Sequence, residues 1–195
     1  MTLVLASASQ SRARLLTAAG VTFTVMPAAL DEAGLTAGLG ATEPDAVALA
    51  LAEQKALAVS RRIPEALVLG GDSVIGFEGE NLSKCADLGD ARALLLRLAG
   101  RAHRLVSAAA LARGGAVIWR HTSPAKMTMR PFTPGFVEQY LAAEGDGILD
   151  SVGCYHFEGR GAQLFDAVKG DYFSILGLPL LAVLAALRQE GALPA

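Results

Sequence analysis

Two arginines at the start of a predicted helix are the first residues that could do chemistry. The stretch LASASQSRARLL, residues 5–16, reads as a strand end, a Ser-rich turn and the first turns of a helix, with Ser9 or Ser11 as the N-cap. Arg12 and Arg14 then lie at the positive end of the helix macrodipole, where a cation is unfavourable. A bound phosphate reverses this, because the free backbone N–H groups and the guanidinium then both face negative charge. The stretch predicts a phosphate-binding turn, and the alternative is that both arginines are solvated surface residues.

A single aspartate follows the next strongly apolar strand pattern. Asp72 stands in the sequence LGGDS, directly after two glycines, at the kind of strand end where α/β folds usually bind ligands. Glycine lets a ligand approach the backbone closely. The Asp72 carboxylate could hold a divalent metal or accept a proton from water, and the alternative is an ordinary turn aspartate.

Two lysines have apolar neighbours. Lys55 shares an apolar helix stripe with Leu51 and Val59, so its ammonium group needs a partner or must extend to solvent. Lys84, in NLSKCAD, is the only cation in residues 63–91. Taken singly, either lysine is more often a surface residue than a functional one.

Other reactive residue types lack the spacing that their chemistry requires. The three histidines, His103, His121 and His156, show no metal-ligand spacing and are interpreted as structural. The serines lack a GxSxG turn, which argues against a serine nucleophile of that type. Cys85 and Cys154 form no CxxC pair, and we interpret both as reduced, buried thiols of a cytosolic protein.

The bulk composition limits the class of protein. A chain of 195 residues suits a single domain, residues 1–195, and a hydrophobic content of 52% can bury a sizeable core. A formal net charge of −2 argues against a general nucleic-acid binder, which needs a basic face. No secretory signal is visible, and the apolar residues 172–187 are too few to span a membrane, which takes roughly 18 or more. We therefore expect a cytoplasmic protein with neither a membrane nor a nucleic-acid partner.

The elements that must position the candidate residues alternate between strands and helices. Strands are predicted at residues 2–6, 21–26, 66–77 (interrupted or ended near Gly70–Gly71), 104–112, 117–130 and 171–176. Helices are predicted from the Ser-rich turn to Gly20, from an N-cap at Thr42 to Arg62, at 89–98, at 134–143 after an N-cap at Thr133, and from Pro179 as first helical residue. Residues 30–40 are predicted to form a Gly-rich loop, and residues 145–161 a loop with one short strand. This order predicts an α/β fold whose sheet is mixed, because a hairpin joins two of the strands at Gly114–Gly115.

The order of several sequence blocks resembles that of one known family. The blocks are LVLASASQSRARLL, AEQKA, LGGDSVI, LSK, LLRLAGRAHRLVSAAAL, FEGRGAQLF and KGDYFSILGLPL, and they cover nearly the whole chain. Together they resemble the Maf family of nucleoside triphosphate pyrophosphatases. The resemblance implies a mixed sheet flanked by helices, with two lobes around a cleft, related to inosine-triphosphate pyrophosphatases. It also implies a cytoplasmic enzyme that needs Mg²⁺ or Mn²⁺, is often a homodimer, and converts a nucleoside triphosphate to the monophosphate and pyrophosphate. The alternative is a nucleotide-binding regulator of septum formation with little turnover.

The resemblance also implies roles for individual residues. It implies substrate binding by Ser9, Arg12, Lys55 and Lys84. Glu32 matches a carboxylate of the cleft, and Asp72 matches the proton acceptor. Our hypothesis is that these two carboxylates hold the metal, or that Asp72 orients a water for attack on the α-phosphorus. No role in the family falls on Arg14.

Three positions on the side that reads the base depart from the family pattern. Ser11 stands for the first arginine of S-x-R-R, Ser73 for the threonine of D-T, and Glu158 for the glutamine of Y-x-x-Q-G. The subgroup that acts on dTTP and UTP has arginine, threonine and glutamine there, which argues against a pyrimidine preference. A carboxylate only accepts hydrogen bonds, and the Watson–Crick edge of guanine offers two adjacent donors. If Glu158 faces the base, we expect a guanine or modified-guanine nucleotide.

Overall fold

The strands form one mixed sheet. The computed structural model describes residues 2–39 and 43–194. Within them lie seven strands: β1 (Leu3–Leu5), β2 (Thr24–Val25), β3 (Leu67–Phe77), β4 (Glu80–Leu82), β5 (Ala102–Arg113), β6 (Ala116–Met129) and β7 (Phe165–Lys169). Their order is β2-β1-β3-β5-β6-β7, and β4 pairs with the end of β3. β1 is parallel to β2 and β3, and the remaining pairs are antiparallel, which confirms the mixed α/β sheet.

Helices cover both faces of this sheet. They are α1 (Gln10–Ala18), α2 (Glu32–Leu39), α3 (Pro44–Ser60), α4 (Leu88–Leu98), α5 (Pro134–Glu144), α6 (Tyr172–Ile175) and α7 (Leu180–Gln189), with 3₁₀ segments at Gly145–Asp150 and Arg160–Leu164. No helix in the described part of the chain combines the length and apolar character needed to cross a membrane.

One face of the sheet packs on α3. Side chains alternate between the faces of a strand, and Val68 and Val74 of β3 join Val106 of β5 in a cluster with the apolar residues of α3. The approach is close at Gly70, where a Cβ atom would lie 2.1 Å from the carbonyl oxygen of Ala52. Gly70 therefore allows α3 to pack directly on the sheet.

The opposite face carries two separate apolar clusters. At one end, Leu69 and Leu111 of the sheet pack with residues of α1 and α7. At the other end, Ile75 and Leu105 pack with residues of α4 and α5. Polar residues lie between the two clusters along these strands, where Ser73 of β3 pairs with Ser107 of β5.

Three of the predicted segments are wrong in type or extent. Residues 32–39 of the expected loop form α2, because the Asp31 carboxylate accepts a hydrogen bond from the Gly34 N–H at 3.0 Å and offsets the low helix propensity of glycine. β3 runs through Gly70–Gly71 without interruption. Residues 145–161 contain no strand but 3₁₀ turns, and the strand of this region is β7 at Phe165–Lys169.

The predicted strand at residues 171–176 is also wrong. It forms α6, because the Asp171 carboxylate accepts hydrogen bonds from the backbone N–H of Ser174 at 2.7 Å and from its hydroxyl at 2.6 Å. Pro179 is the N-cap of α7 rather than its first helical residue. Thr42, the expected cap of α3, lies outside the described residues. Cys85 and Cys154 are free thiols as expected, although only Cys154 is buried and Cys85 is partly exposed.

Candidate active site

The first element of the site is the N-terminus of α1. Ser9 is the N-cap, and its hydroxyl accepts a hydrogen bond from the Arg12 N–H at 3.4 Å. The Ser9 N–H in turn donates to the hydroxyl of Ser7 at 3.2 Å. Of the two predicted caps, the structure therefore selects Ser9. No acidic side chain occupies the first turn of the helix, so this positive helix end carries no neutralising carboxylate of its own.

Arg12 is buried rather than solvated. Its guanidinium donates to the Gly177 carbonyl at 2.8 Å, to the Ser7 hydroxyl at 3.1 Å and to the Ser73 hydroxyl at 3.0 Å. Burial lowers the pKa of Arg12, and the nearby charges of Asp72 and Glu32 oppose that shift. The surface alternative is thus wrong for Arg12. These three hydrogen-bond partners are neutral, so its positive charge is not cancelled within its contact shell.

Lys55 joins the two predicted carboxylates. It extends from α3, and its Nζ atom lies 2.5 Å from Asp72 Oδ1 and 2.9 Å from Glu32 Oε1. The side chains of Lys55 and Asp72 are about nine-tenths buried, whereas 52% of the Glu32 side chain is exposed. The turn alternative is wrong for Asp72, which lies in the middle of β3 opposite Ala108. Because β3 and α3 both hold their ends of this ion pair, the Asp72 carboxylate has a fixed position.

A chain of serine hydroxyls crosses the sheet between the two apolar clusters. Ser107 donates to the Ser174 carbonyl at 2.6 Å, and its oxygen lies 2.9 Å from the Ser73 hydroxyl. A hydroxyl has one hydrogen, so Ser73 donates to Ser107 and accepts from Arg12. In this state the Ser73 hydroxyl holds the Arg12 guanidinium in place, which is a different task from reading a base.

Ser11 and Glu158 are linked through Arg14. The Arg14 guanidinium lies 3.3 Å from the Ser11 hydroxyl and 3.4 Å from Glu158 Oε1. The Arg14 side chain is 67% exposed, as the surface interpretation expects, yet it connects two of the three positions assigned to the base side. Lys84 is exposed and makes no ion pair or hydrogen bond with any residue in the described part of the chain. Apart from Lys84, the structure places the predicted residues in three contact groups: Arg12 with Ser9 and Ser73, Lys55 with Asp72 and Glu32, and Arg14 with Ser11 and Glu158.

Sequence reasoning missed three contributors to the site. Ser7 and Ser107 bind Arg12 directly or through Ser73, and Gly177 supplies a carbonyl acceptor. A lone serine in the apolar run LVSAAAL of β5 was the available signal for Ser107, because a buried hydroxyl needs a partner. Nothing in the sequence indicates that the Gly177 carbonyl points to Arg12.

Two carboxylates, those of Asp72 and Glu32, are the candidate protein ligands for a magnesium or manganese ion. Asp72 and Glu32 offer the carboxylate oxygens that Mg²⁺ prefers, and both lie against one lysine. The described residues hold no group of three potential metal ligands among His, Cys, Asp and Glu. Mg²⁺ typically takes one or two protein carboxylates, several waters and substrate phosphate oxygens. The two carboxylates therefore fit a metal that arrives with a phosphorylated substrate.

Comparison with known proteins places the chain in a family. The family model described as "Maf-like protein" matches residues 2–190. The chain belongs to the Maf family. A protein of Granulibacter bethesdensis named nucleoside triphosphate pyrophosphatase is 47% identical to this Maf chain, over 99% of both sequences. A protein of Mesorhizobium japonicum named 7-methyl-GTP pyrophosphatase is 49% identical, over 98% of this chain and 97% of that protein. Among solved structures, a HAM1 protein of Coxiella burnetii has a TM-score of 0.42 and 14% identity, over 66% of this chain and 73% of that chain.

Proposed function

We propose that this Maf chain hydrolyses nucleoside triphosphates to the nucleoside monophosphate and pyrophosphate. The observation that carries the proposal is the buried Asp72 carboxylate, fixed by Lys55 and close enough to Arg12 to oppose the lowering of its pKa. A carboxylate of fixed position can accept a proton from an attacking water. A cation beside it can stabilise the negative charge of a phosphate chain.

The reaction places two demands on these residues. Phosphoryl transfer is catalysed mainly by positioning and by stabilisation of charge. The free N–H groups of α1 and the guanidinium of Arg12 bind phosphate oxygens, since Arg12 is held by neutral acceptors and retains its charge for the substrate. The exposed Lys84 supplies further positive charge, whereas the charge of Lys55 is paired with Asp72 and Glu32 in this structure. The attacking water gives a proton to Asp72 while the water oxygen bonds to the α-phosphorus. The bond between the α-phosphorus and the oxygen that bridges to the β-phosphorus breaks, and pyrophosphate leaves.

A divalent cation fits the same residues. As the alternative to proton transfer by Asp72, Asp72 and Glu32 would hold Mg²⁺ or Mn²⁺, and the bound ion would neutralise part of the triphosphate charge and polarise its phosphorus–oxygen bonds. Glu32 is suited to exchange partners, because half of its side chain is exposed and a surface ion pair with Lys55 is weak.

The base preference rests on Glu158. Its carboxylate accepts hydrogen bonds, and the two adjacent donors of guanine complement it. Relatives named 7-methyl-GTP pyrophosphatase, at up to 49% identity over nearly the full length, support a guanine-type base. We further propose that the protein works in the cytoplasm as a homodimer, with a nucleoside triphosphate and neither nucleic acid nor membrane as its partner. Light scattering after size exclusion tests the dimer.

The test is pyrophosphate release from a panel of canonical and methylated nucleoside triphosphates with Mg²⁺ or Mn²⁺. The parent should release pyrophosphate and prefer GTP or 7-methyl-GTP to UTP. The Asp72→Asn variant should lose turnover while remaining folded. Asp166→Asn, the same change on an exposed residue of β7, is the matched control and should keep the parental rate.

Three outcomes would contradict the proposal. Near-normal turnover by Asp72→Asn would remove Asp72 from the reaction. Equal rates on UTP and GTP would remove Glu158 as the reader of the base. Binding of triphosphates without release by the parent would favour the alternative, a nucleotide-binding regulator of cell division.

A further inference from the structure

Tyr172 presents an aromatic ring to solvent at the start of α6. The residue is 51% exposed. Of the four large hydrophobic residues that are exposed in the described part of the chain, Tyr172 is the one with an aromatic ring; the others are Val25, Ile118 and Leu181. A large ring left in water gives up the stabilisation that burial would provide, so its exposure raises the question of what covers it.

The helix that carries Tyr172 is attached to the candidate active site. Ser107 donates to the carbonyl of Ser174, and Arg12 donates to the carbonyl of Gly177, two residues after the end of α6. The Asp171 carboxylate caps the other end of the helix. These contacts fix α6 against the same residues that hold Arg12, so the exposed ring lies on an element of the site.

The ring also adjoins the segment that carries Glu158. The Tyr172 and Phe157 ring centroids are 6.5 Å apart in an edge-on arrangement, and Phe157 directly precedes Glu158. Phe157 is itself fixed by an edge-on contact with Phe165 at 5.6 Å. Glu158 in turn pairs with Arg14 of α1. An exposed aromatic ring and a carboxylate therefore stand on neighbouring segments, and the carboxylate contacts α1 through Arg14.

We propose that the Tyr172 ring is the stacking surface for the base of the substrate nucleotide. The proposal rests on the proposed function and adds a residue to its substrate site. Glu158 can read only the edge of a base, and a planar base needs a second contact on its face. Aromatic rings supply that contact for any base. A 7-methylated guanine carries a delocalised positive charge, which an aromatic ring binds more strongly than a neutral base.

The proposal predicts that removal of the Tyr172 ring weakens the binding of ligands that carry a base and leaves the binding of ligands without a base unchanged. Loss of one base–aromatic stacking contact weakens binding by roughly 10-fold, within a range of about 5- to 150-fold. Tyr172→Leu removes the ring but keeps an apolar side chain against Phe157 and Phe173. Tyr172→Phe keeps the ring and removes the hydroxyl. Ile118→Ala truncates another exposed apolar residue, near the hairpin end of β6, and is the matched control.

The experiment is calorimetric titration with three ligands in the presence of Mg²⁺. The ligands are the α,β-methylene analogue of GTP, which resists cleavage between its α- and β-phosphorus atoms, the same analogue methylated at N7, and inorganic tripolyphosphate. Tyr172→Leu should raise the dissociation constant of the GTP analogue about 10-fold, and that of the methylated analogue by a larger factor. Its affinity for tripolyphosphate should remain within 2-fold of the parent. Tyr172→Phe and Ile118→Ala should match the parent for all three ligands.

Each contrary result has a distinct meaning. Unchanged affinity of Tyr172→Leu for the GTP analogue would overturn the proposal. An equal loss for tripolyphosphate would also overturn it, since the residue would then support the phosphate site and not the base. If the parent bound none of the three ligands, the proposed function would fail together with this inference. Retained pyrophosphate release with an unchanged dissociation constant in Tyr172→Leu would refute the stacking contact alone.

Discussion

The buried ion pair between Lys55 and Asp72 leads to a prediction about stability. Both side chains are about 90% buried and their charged atoms are 2.5 Å apart. Lys55→Met keeps the length and apolar stem of the side chain but leaves the Asp72 carboxylate buried without its counter-ion. Removal of one partner of such a pair costs about 3 to 5 kcal/mol. Since the second partner of Lys55, Glu32, is half exposed, its ion pair adds only about 0.2 to 1 kcal/mol.

The assay is urea unfolding combined with thermal melting. A loss of about 3 kcal/mol in the free energy of unfolding lowers the melting temperature of a chain of this size by roughly 6 to 12 °C. The double variant Lys55→Met/Asp72→Asn is the control, because it removes the pair without leaving an unpaired charge, and it should recover most of the loss. The reasoning would be refuted if Lys55→Met lost less than about 1 kcal/mol, or if the double variant were no more stable than Lys55→Met.

Three further predictions follow from other described residues. Burial lowers the pKa of His103 from 6.5 to about 4, so between these pH values the unfolded chain binds a proton that the folded chain does not. The free energy of unfolding should therefore fall by about 2 kcal/mol from pH 7.5 to pH 5. In urea titrations His103→Phe should lose this dependence of the free energy of unfolding on pH. The same dependence in that variant would contradict the assignment to His103. Gly70→Ala should destabilise the fold by about 1 to 3 kcal/mol, because the added Cβ atom would clash with the Ala52 carbonyl. Gly147→Ala, where a Cβ has open space, is its control in thermal melts, and equal melting temperatures would be the contrary result. Arg12→Lys should lower pyrophosphate release at least 10-fold with the fold retained, since one ammonium cannot replace the planar set of donors that reaches Ser7, Ser73 and Gly177; a parental rate would exclude this role.

Long elements with a strong pattern were predictable from the sequence. The stripe that predicts α3 places Lys55 on its buried face, and the structure confirms that the lysine has a partner there. The Ser-rich turn predicts the cap of α1 at one of two serines, and the hydrogen bond from the Arg12 N–H decides for Ser9. Both predictions succeed because they depend on local periodicity and on short-range capping.

Two of the wrong predictions fall where side-chain hydrogen bonds outweigh residue propensity. Residues 171–176 contain Tyr, Phe and Ile, which favour a strand, yet the capping carboxylate of Asp171 turns them into α6. The Gly-rich residues 32–39 form α2 in the same way, with Asp31 at the start. These capping hydrogen bonds join a carboxylate to an N–H group three residues later. The spacing of apolar residues, from which the elements were predicted, carries no information about them.

Contacts between segments that are distant along the chain could not be predicted from the sequence pattern. The Gly177 carbonyl lies 165 residues from Arg12 along the chain, and Glu158 lies 144 residues from Arg14. Only the packing of α6 and of the segment before β7 against α1 brings these groups together. For the same reason, the family resemblance could name Arg12 and Glu158 but could not show which groups hold them.

The most direct measurement is hydrolysis of 7-methyl-GTP in water enriched in ¹⁸O, followed by mass spectrometry of both products. The central claim is that a water beside Asp72 attacks the α-phosphorus. The account predicts one ¹⁸O atom in the nucleoside monophosphate and none in pyrophosphate. Label in pyrophosphate instead would place the attack on the β-phosphorus and contradict the account.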